Sequence, residues 1–91
     1  MIYTMRKDIQ LPVVITHDST HCDIYIPDLD ITVHGRDYVD AISNAIMKAS
    51  AIYYYNLERN VTFELKTTYN DVECICKKMH GSFATYIALT A

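Results

Sequence analysis

Apolar and polar residues alternate along this chain with two different periods, and the change of period divides it. From residue 11 to residue 33 the period is two. In 11–17, LPVVITH, the residues Leu11, Val13 and Ile15 share one side. The β-branched side chains there suit a pleated strand. Pro12 has no N–H to donate, which fits a strand start or a sheet edge. Residues 18–21 form a polar turn, and in 22–26 Cys22, Ile24 and Ile26 alternate with Asp23 and Tyr25. Pro27-Asp28 breaks the run, and 29–33 resumes it, with Leu29, Ile31 and Val33 opposed to Asp30 and Thr32. Three alternating runs joined by short turns predict an antiparallel meander with one apolar face.

The period then lengthens. Over 36–55, Ala41, Ile42, Ala45, Ile46, Ala49, Ile52 and Tyr53 recur every three or four residues. That spacing draws one apolar stripe down a helix. Gly35 separates this helix from the preceding strand, and Asp37 is the expected N-cap, accepting from first-turn N–H groups that otherwise lack partners. Asp40 adds negative charge near the positive end of the helix. A stripe so rich in alanine lets its partner come close, and the Val/Ile/Leu face of the meander is the natural partner.

Beyond the helix the pattern is weaker. Tyr53, Tyr54 and Tyr55 cannot all face one core, so at least one is exposed. Residues 61–66 read as extended. Residues 70–79, NDVECICKKM, read as a short helix with Asn70 as N-cap and Glu73 in the capping-box position. Its buried stripe would be Val72, Ile75, Cys76 and Met79. Lys77 and Lys78 fall at its C-terminal end, and Gly81 follows as a stop. Residues 82–89 read as a last strand with Phe83, Thr85, Ile87 and Leu89 on one face, and residues 1–10 as a lead-in or the start of the first strand. The expected fold class is therefore α+β. An antiparallel three-stranded meander gains a late fourth strand, and two helices pack on one sheet face, in the order β-β-β-α-α-β. A single domain spans 1–91. With both helices on one face, the other face would carry Val14, Thr16, Tyr25, Thr32, Ala84, Tyr86 and Ala88. That surface is too apolar to stand bare, so a homo-oligomer is expected, formed through this face or through the edge of a terminal strand.

Composition narrows the function. The chain has 91 residues, enough for one small core. Half of it is hydrophobic, which excludes a disordered segment. A net charge of −3 argues against direct nucleic-acid binding, which calls for a basic face. No apolar run is long enough to span a membrane. Three cysteines with no framework spacing point to a reducing cytoplasm.

Three constellations invite sharper chemistry. His17, His21, Cys22 and Asp23 lie close in sequence, as metal ligands do, but a polar turn with Cys22 in the core explains them as well. Cys74 and Cys76 are two apart, which on a helix turns them about 200° from each other, too far to chelate together. Asp23, Asp28, Asp30, Asp37 and Asp40 look like a carboxylate cluster for metal-assisted hydrolysis. Against that, Asp28 sits in a turn, Asp37 is a cap, and Asp23 and Asp30 are solvent-side strand positions. No catalytic, cofactor or metal residue is assigned, and an enzyme is not expected.

The order of these features resembles the N-terminal domain of HicB-type antitoxins over residues 11–91. The shared features are the turn Pro27-Asp28-Leu29, then Gly35, the capped helix start at Asp37 with Ala41, the step Asn44-Ala45, and a capped short helix leading into the strand Gly81-Ser82-Phe83. The chain departs from that pattern in two places. Val39-Asp40 stands where the family usually has paired glutamates, and Asp30-Ile31 where it usually has a Gly-Cys-like step. Many members continue into a DNA-binding domain, which is not expected in this chain.

The resemblance implies a partial ribonuclease-H-like fold without catalytic carboxylates. It also implies a function: an antitoxin of a type II toxin-antitoxin system that neutralises a HicA-like RNA-cleaving toxin by covering its active site. Six of the eleven acids lie between Asp18 and Asp40, where Arg36 is the only Lys or Arg. Such a patch complements a basic, RNA-gripping toxin. Asp23, Tyr25, Asp28 and Asp30 are the expected partner-binding residues. The alternative is a small α+β homo-oligomer that binds a ligand or acts as an enzyme and has no toxin partner.

Overall fold

The computed structural model describes residues 9–59, 66–79 and 81–89. The elements run β1 Ile9–His17, β2 Cys22–Ile26, β3 Ile31–Gly35, α1 Tyr38–Glu58, α2 Tyr69–Lys77 and β4 Ser82–Leu89. The strands form one antiparallel sheet in the order β3-β2-β1-β4. This is the α+β class and the β-β-β-α-α-β order expected. The extended stretch expected over 61–66 lies, apart from Lys66, outside the described residues, as does most of the lead-in over 1–10.

The main core lies between α1 and one sheet face. Alternation sends Leu11, Val13 and Ile15 of β1, Cys22, Ile24 and Ile26 of β2, and Ile87 and Leu89 of β4 to this face, and all are buried. Ala41, Ala45 and Ala49, four apart on α1, are fully buried against them, and Ile42, Ile46 and Tyr53 flank the contact. Burying side chains of this kind is the main favourable term, about 25 cal/mol per Å² of apolar surface. Asp37 caps α1 as expected. Its Oδ1 accepts from the Asp40 N–H at 2.8 Å, and the Asp40 carboxylate accepts from the Arg36 N–H at 3.0 Å.

Three expectations need correction. First, α2 does not share a face with α1. Strand register places Val14, Ala84 and Tyr86 on the opposite side of the sheet from Leu11, Val13 and Ile15. There the Tyr69 ring of α2 stacks on Tyr86, with centroids 5.4 Å apart, and Ser82 Oγ donates to the carbonyls of Cys76 and Met79. Val14 and Val72 are buried, yet both lie outside the core beneath α1. The sheet is thus sandwiched, and the second face is covered over its β1–β4 half. A run of apolar residues from Leu11 to Ile15, Pro12 included, is what a strand buried on both faces requires.

Second, α2 is capped two residues earlier than expected. Thr68 accepts from the Asp71 N–H, and the Asp71 carboxylate accepts from the Thr68 N–H at 2.8 Å, a complete capping box. Third, β3 begins at Ile31 rather than Leu29. The N–H groups of Leu29 and Asp30 donate to the carbonyls of Ile26 and Pro27, closing two successive turns. Asp30 ends them with φ 52°, a left-handed conformation that Asp tolerates better than most residues.

Candidate functional site

Because α2 covers only the β1–β4 half of the second face, the β2–β3 half carries no helix or strand among the described residues. Alternation along β2 turns Asp23 and Tyr25 onto it. Register sets Asp23 between Thr16 of β1 and His34 of β3, and Tyr25 between Val14 and Thr32.

Asp23 joins two imidazoles. Its Oδ1 is 2.6 Å from His34 Nδ1, and its Oδ2 is 3.4 Å from His21 Nε2. An ionised carboxylate only accepts, so His34 donates through Nδ1–H. His21 is held from the other side by the β1–β2 turn. Its Nδ1 lies 2.9 Å from Thr20 Oγ1 and 3.2 Å from Asp18 Oδ1. Asp18 organises that turn by accepting from the Thr20 N–H, the Thr20 hydroxyl and the His21 N–H, at 2.7, 2.8 and 2.9 Å. The Thr20 N–H is the largest influence holding the Asp18 carboxyl down, from the usual 3.8 to about 2.

Tyr25 leans toward the β2–β3 turn, and its hydroxyl donates to Asp30 Oδ1 at 3.4 Å, a long bond. Asp23, Tyr25 and Asp30 therefore form one surface. Asp28, placed with them by sequence, does not join it. Its Oδ1 accepts from the Thr67 N–H at 2.9 Å in a partly buried setting. It ties the segment before α2 to the β2–β3 turn.

A groove of about 250 Å³ opens beside Asp23, where the end of α2 overhangs the sheet. Val14, Thr16, Asp23, Tyr25, Thr32 and Met79 line it. Asp23 is its one charged wall. Sequence reasoning found Asp23 and Tyr25 and grouped His21 with Asp23 only as a metal constellation, and it missed His34 and Met79. His34 joins the site through the β2–β3 register, in a strand that runs two residues further than expected, and His21 through the Asp18 turn. Met79 joins it only because α2 crosses to this face.

The other constellations come apart. His17 pairs with Cys22 on the strand face turned away from Asp23. Cys22 is fully buried, and burial chiefly, with the charges of Asp23 and Asp37, pushes its thiol up, away from the thiolate that metals and electrophiles need. Cys74 is exposed and Cys76 half-buried. Asp37 and Asp40 are occupied at the start of α1. Among the described residues no group of three or more His, Cys, Asp or Glu is placed to hold a metal ion. No described helix is long and apolar enough to cross a membrane. Compared with family models, curated proteins and solved structures, the chain matches none.

Proposed function

We propose that this protein is an antitoxin-like binding module that neutralises a HicA-like RNA-cleaving toxin by covering its active site. The observation that carries the proposal is the open half of the second sheet face. An acidic, tyrosine-bearing surface of Asp23, Tyr25 and Asp30 stands there between the two turns. A protein that grips RNA carries a basic face, and an acidic, partly aromatic surface complements it in charge and in contact area. The resemblance to HicB-type antitoxins, from Pro27-Asp28-Leu29 to Gly81-Ser82-Phe83, supplies the class of partner. Asp28 serves this reading indirectly, by fixing the turn from which Asp30 projects.

In this reading the protein acts in the cytoplasm, in keeping with its three free thiols. It also self-associates, through the open edge of β4, whose Phe83 and Tyr86 are exposed on opposite faces. Among the described residues no strand pairs with the outer edge of this eight-residue strand, and such an edge offers backbone N–H and C=O groups to a second copy. Light scattering is expected to report a dimer or larger species.

The deciding experiment is co-expression with the product of the adjacent small basic reading frame. The two proteins are expected to co-purify, and this chain to suppress RNA cleavage by the other in stoichiometric amounts. Failure to co-purify with any neighbour-encoded protein, together with undiminished cleavage, overturns the proposal.

A further inference from the structure

From the groove beside Asp23 we infer that the protein captures a single arginine side chain of its basic partner, with the guanidinium against Asp23 and Tyr25 and the stem along Met79, above a floor formed by Val14. The inference rests on the reading of the chain as a binder of a basic protein and names the contact.

Three properties of the groove lead to it. The first is size. At about 250 Å³ it falls below the roughly 300–1,000 Å³ of pockets that enclose whole small-molecule ligands. It matches one long side chain better than a cofactor or a helix. The second is its lining. Val14 and Met79 are apolar, Thr16 and Thr32 are short, and the only ionisable groups are Asp23 and the Tyr25 phenol. An occupant with an apolar stem and a cationic head satisfies both parts, as long basic side chains do when they lay their methylenes on apolar surface.

The third is the choice between the two basic side chains. A guanidinium is planar, more weakly hydrated than an ammonium, and stacks on an aromatic ring. Tyr25 offers that ring two residues from Asp23 on the same strand face, between Val14 and Thr32. Asp23 is held in place by His34 at 2.6 Å and His21 at 3.4 Å, so its carboxylate is oriented before any partner arrives. Arg36, the Lys or Arg nearest Asp23 in sequence, faces Asp40 at 3.7 Å, and Lys77 and Lys78, just before Met79, are exposed and form no ion pair among the described residues. They leave the Asp23 charge to the partner.

The test needs no toxin. Blocked arginine (N-acetyl-arginine amide) is titrated into isotopically labelled protein, and backbone amide shifts are followed by NMR. Blocked citrulline, its neutral isostere, and blocked lysine are the comparisons. Arginine is expected to give saturable shifts centred on Thr16, Asp23, Tyr25, Thr32 and Met79, with a millimolar dissociation constant. Citrulline should give none, and lysine should bind several-fold more weakly. Asp23→Asn should abolish the shifts, and Glu73→Gln, an equal change of net charge on the exposed side of α2, should leave them intact. A spectrum with native dispersion for Asp23→Asn excludes unfolding as the cause. Met79→Ala, which removes the groove wall and no charge, should weaken arginine binding several-fold. Shifts scattered over the surface, equal binding of citrulline, or loss in both charge variants would overturn the arginine site. Those results leave the antitoxin reading to its co-purification test. An arginine site with no co-purifying partner would instead overturn the antitoxin reading alone.

Discussion

Gly35 and Ala41 are packed backbone to backbone. A Cβ built on Gly35 would lie 2.7 Å from the Ala41 Cβ, and closer still to the Ala41 backbone nitrogen and Cα. The end of β3 and the first turn of α1 meet at this point without a side chain between them. The nearby Asn44 amide donates to the His34 carbonyl at 3.0 Å and fixes the same junction. Gly35→Ala is therefore expected to destabilise the protein by about 1–3 kcal/mol, the usual cost of overpacking, read as a lower denaturant midpoint at unchanged slope. Adding Ala41→Gly should restore little, because two of the three atoms met belong to the Ala41 backbone. Full rescue by the double variant would show that only the methyl groups clash.

The second buried face makes a prediction that a one-sided sheet does not. Val14 is 1% exposed although it points away from α1. Val14→Asp places an unpaired charge beneath α2 and should unfold the protein or cost several kcal/mol. Val72→Ala, which truncates the fully buried side chain of α2, should cost about 1–3 kcal/mol. Thermal melting checks both. A native melting temperature for Val14→Asp would mean that α2 does not cover this face.

The α2 cap separates two neighbouring residues. Thr68→Ala removes the acceptor for the Asp71 N–H and should cost about 1 kcal/mol. Asn70→Ala, exposed inside the first turn, should change stability by under about 0.5 kcal/mol. Denaturant titration of the two variants compares them directly. An equal loss in both would return the cap to Asn70.

Most of the fold was legible because its signals are periodic. The limits of β2 and β4, the Ala41–Ala45–Ala49 stripe and the cap at Asp37 follow from alternation, from spacing by four and from the carboxylate before the helix. The β2–β3 turn misled because Leu29 continues the alternation of Ile31 and Val33. Its N–H nevertheless goes back to Ile26, so the residue belongs to a turn. The side taken by α2 was written in the unbroken burial of residues 11–15, but alternation of Leu11, Val13 and Ile15 drew attention from Val14. The site was half legible. Alternation turns Asp23 and Tyr25 outward, whereas the turning in of Asp28 toward Thr67 is a contact across 39 residues that local pattern does not carry.

The β1–β2 turn should loosen in acid. Asp18 has a folded-state value near 2 against 3.8 ordinarily, so the unfolded chain takes up the proton first as pH falls. Its contribution is whole above 3.8 and is lost as pH drops through that value toward 2. The effect is small, since the carboxylate is exposed and screened. Wild type and Asp18→Asn, compared by denaturation between about pH 5 and about pH 2, should differ at the upper end and converge at the lower. A constant difference would remove Asp18 ionisation from the stability of the turn.

Binding of the proposed toxin-like partner should divide the four partner-binding candidates into two classes. Asp23 and Asp30 present their charge on the open face, so Asp23→Asn with Asp30→Asn should slow association more than it speeds dissociation and leave the melting temperature nearly unchanged. Asp28 accepts from Thr67, so Asp28→Asn should lower the melting temperature and affect association less. Tyr25 contributes contact area more than field, and Tyr25→Ala should act mainly on dissociation. Salt separates the mechanisms further, since screening shortens to about 8 Å at physiological ionic strength and acts on long-range attraction. The wild-type association rate should fall as salt rises, and the double variant should show a flatter dependence. Surface-based kinetics with the neighbouring gene product at two salt concentrations measures all of this. Identical association rates for wild type and double variant at both concentrations would remove the acidic surface from the mechanism, whatever the final affinity.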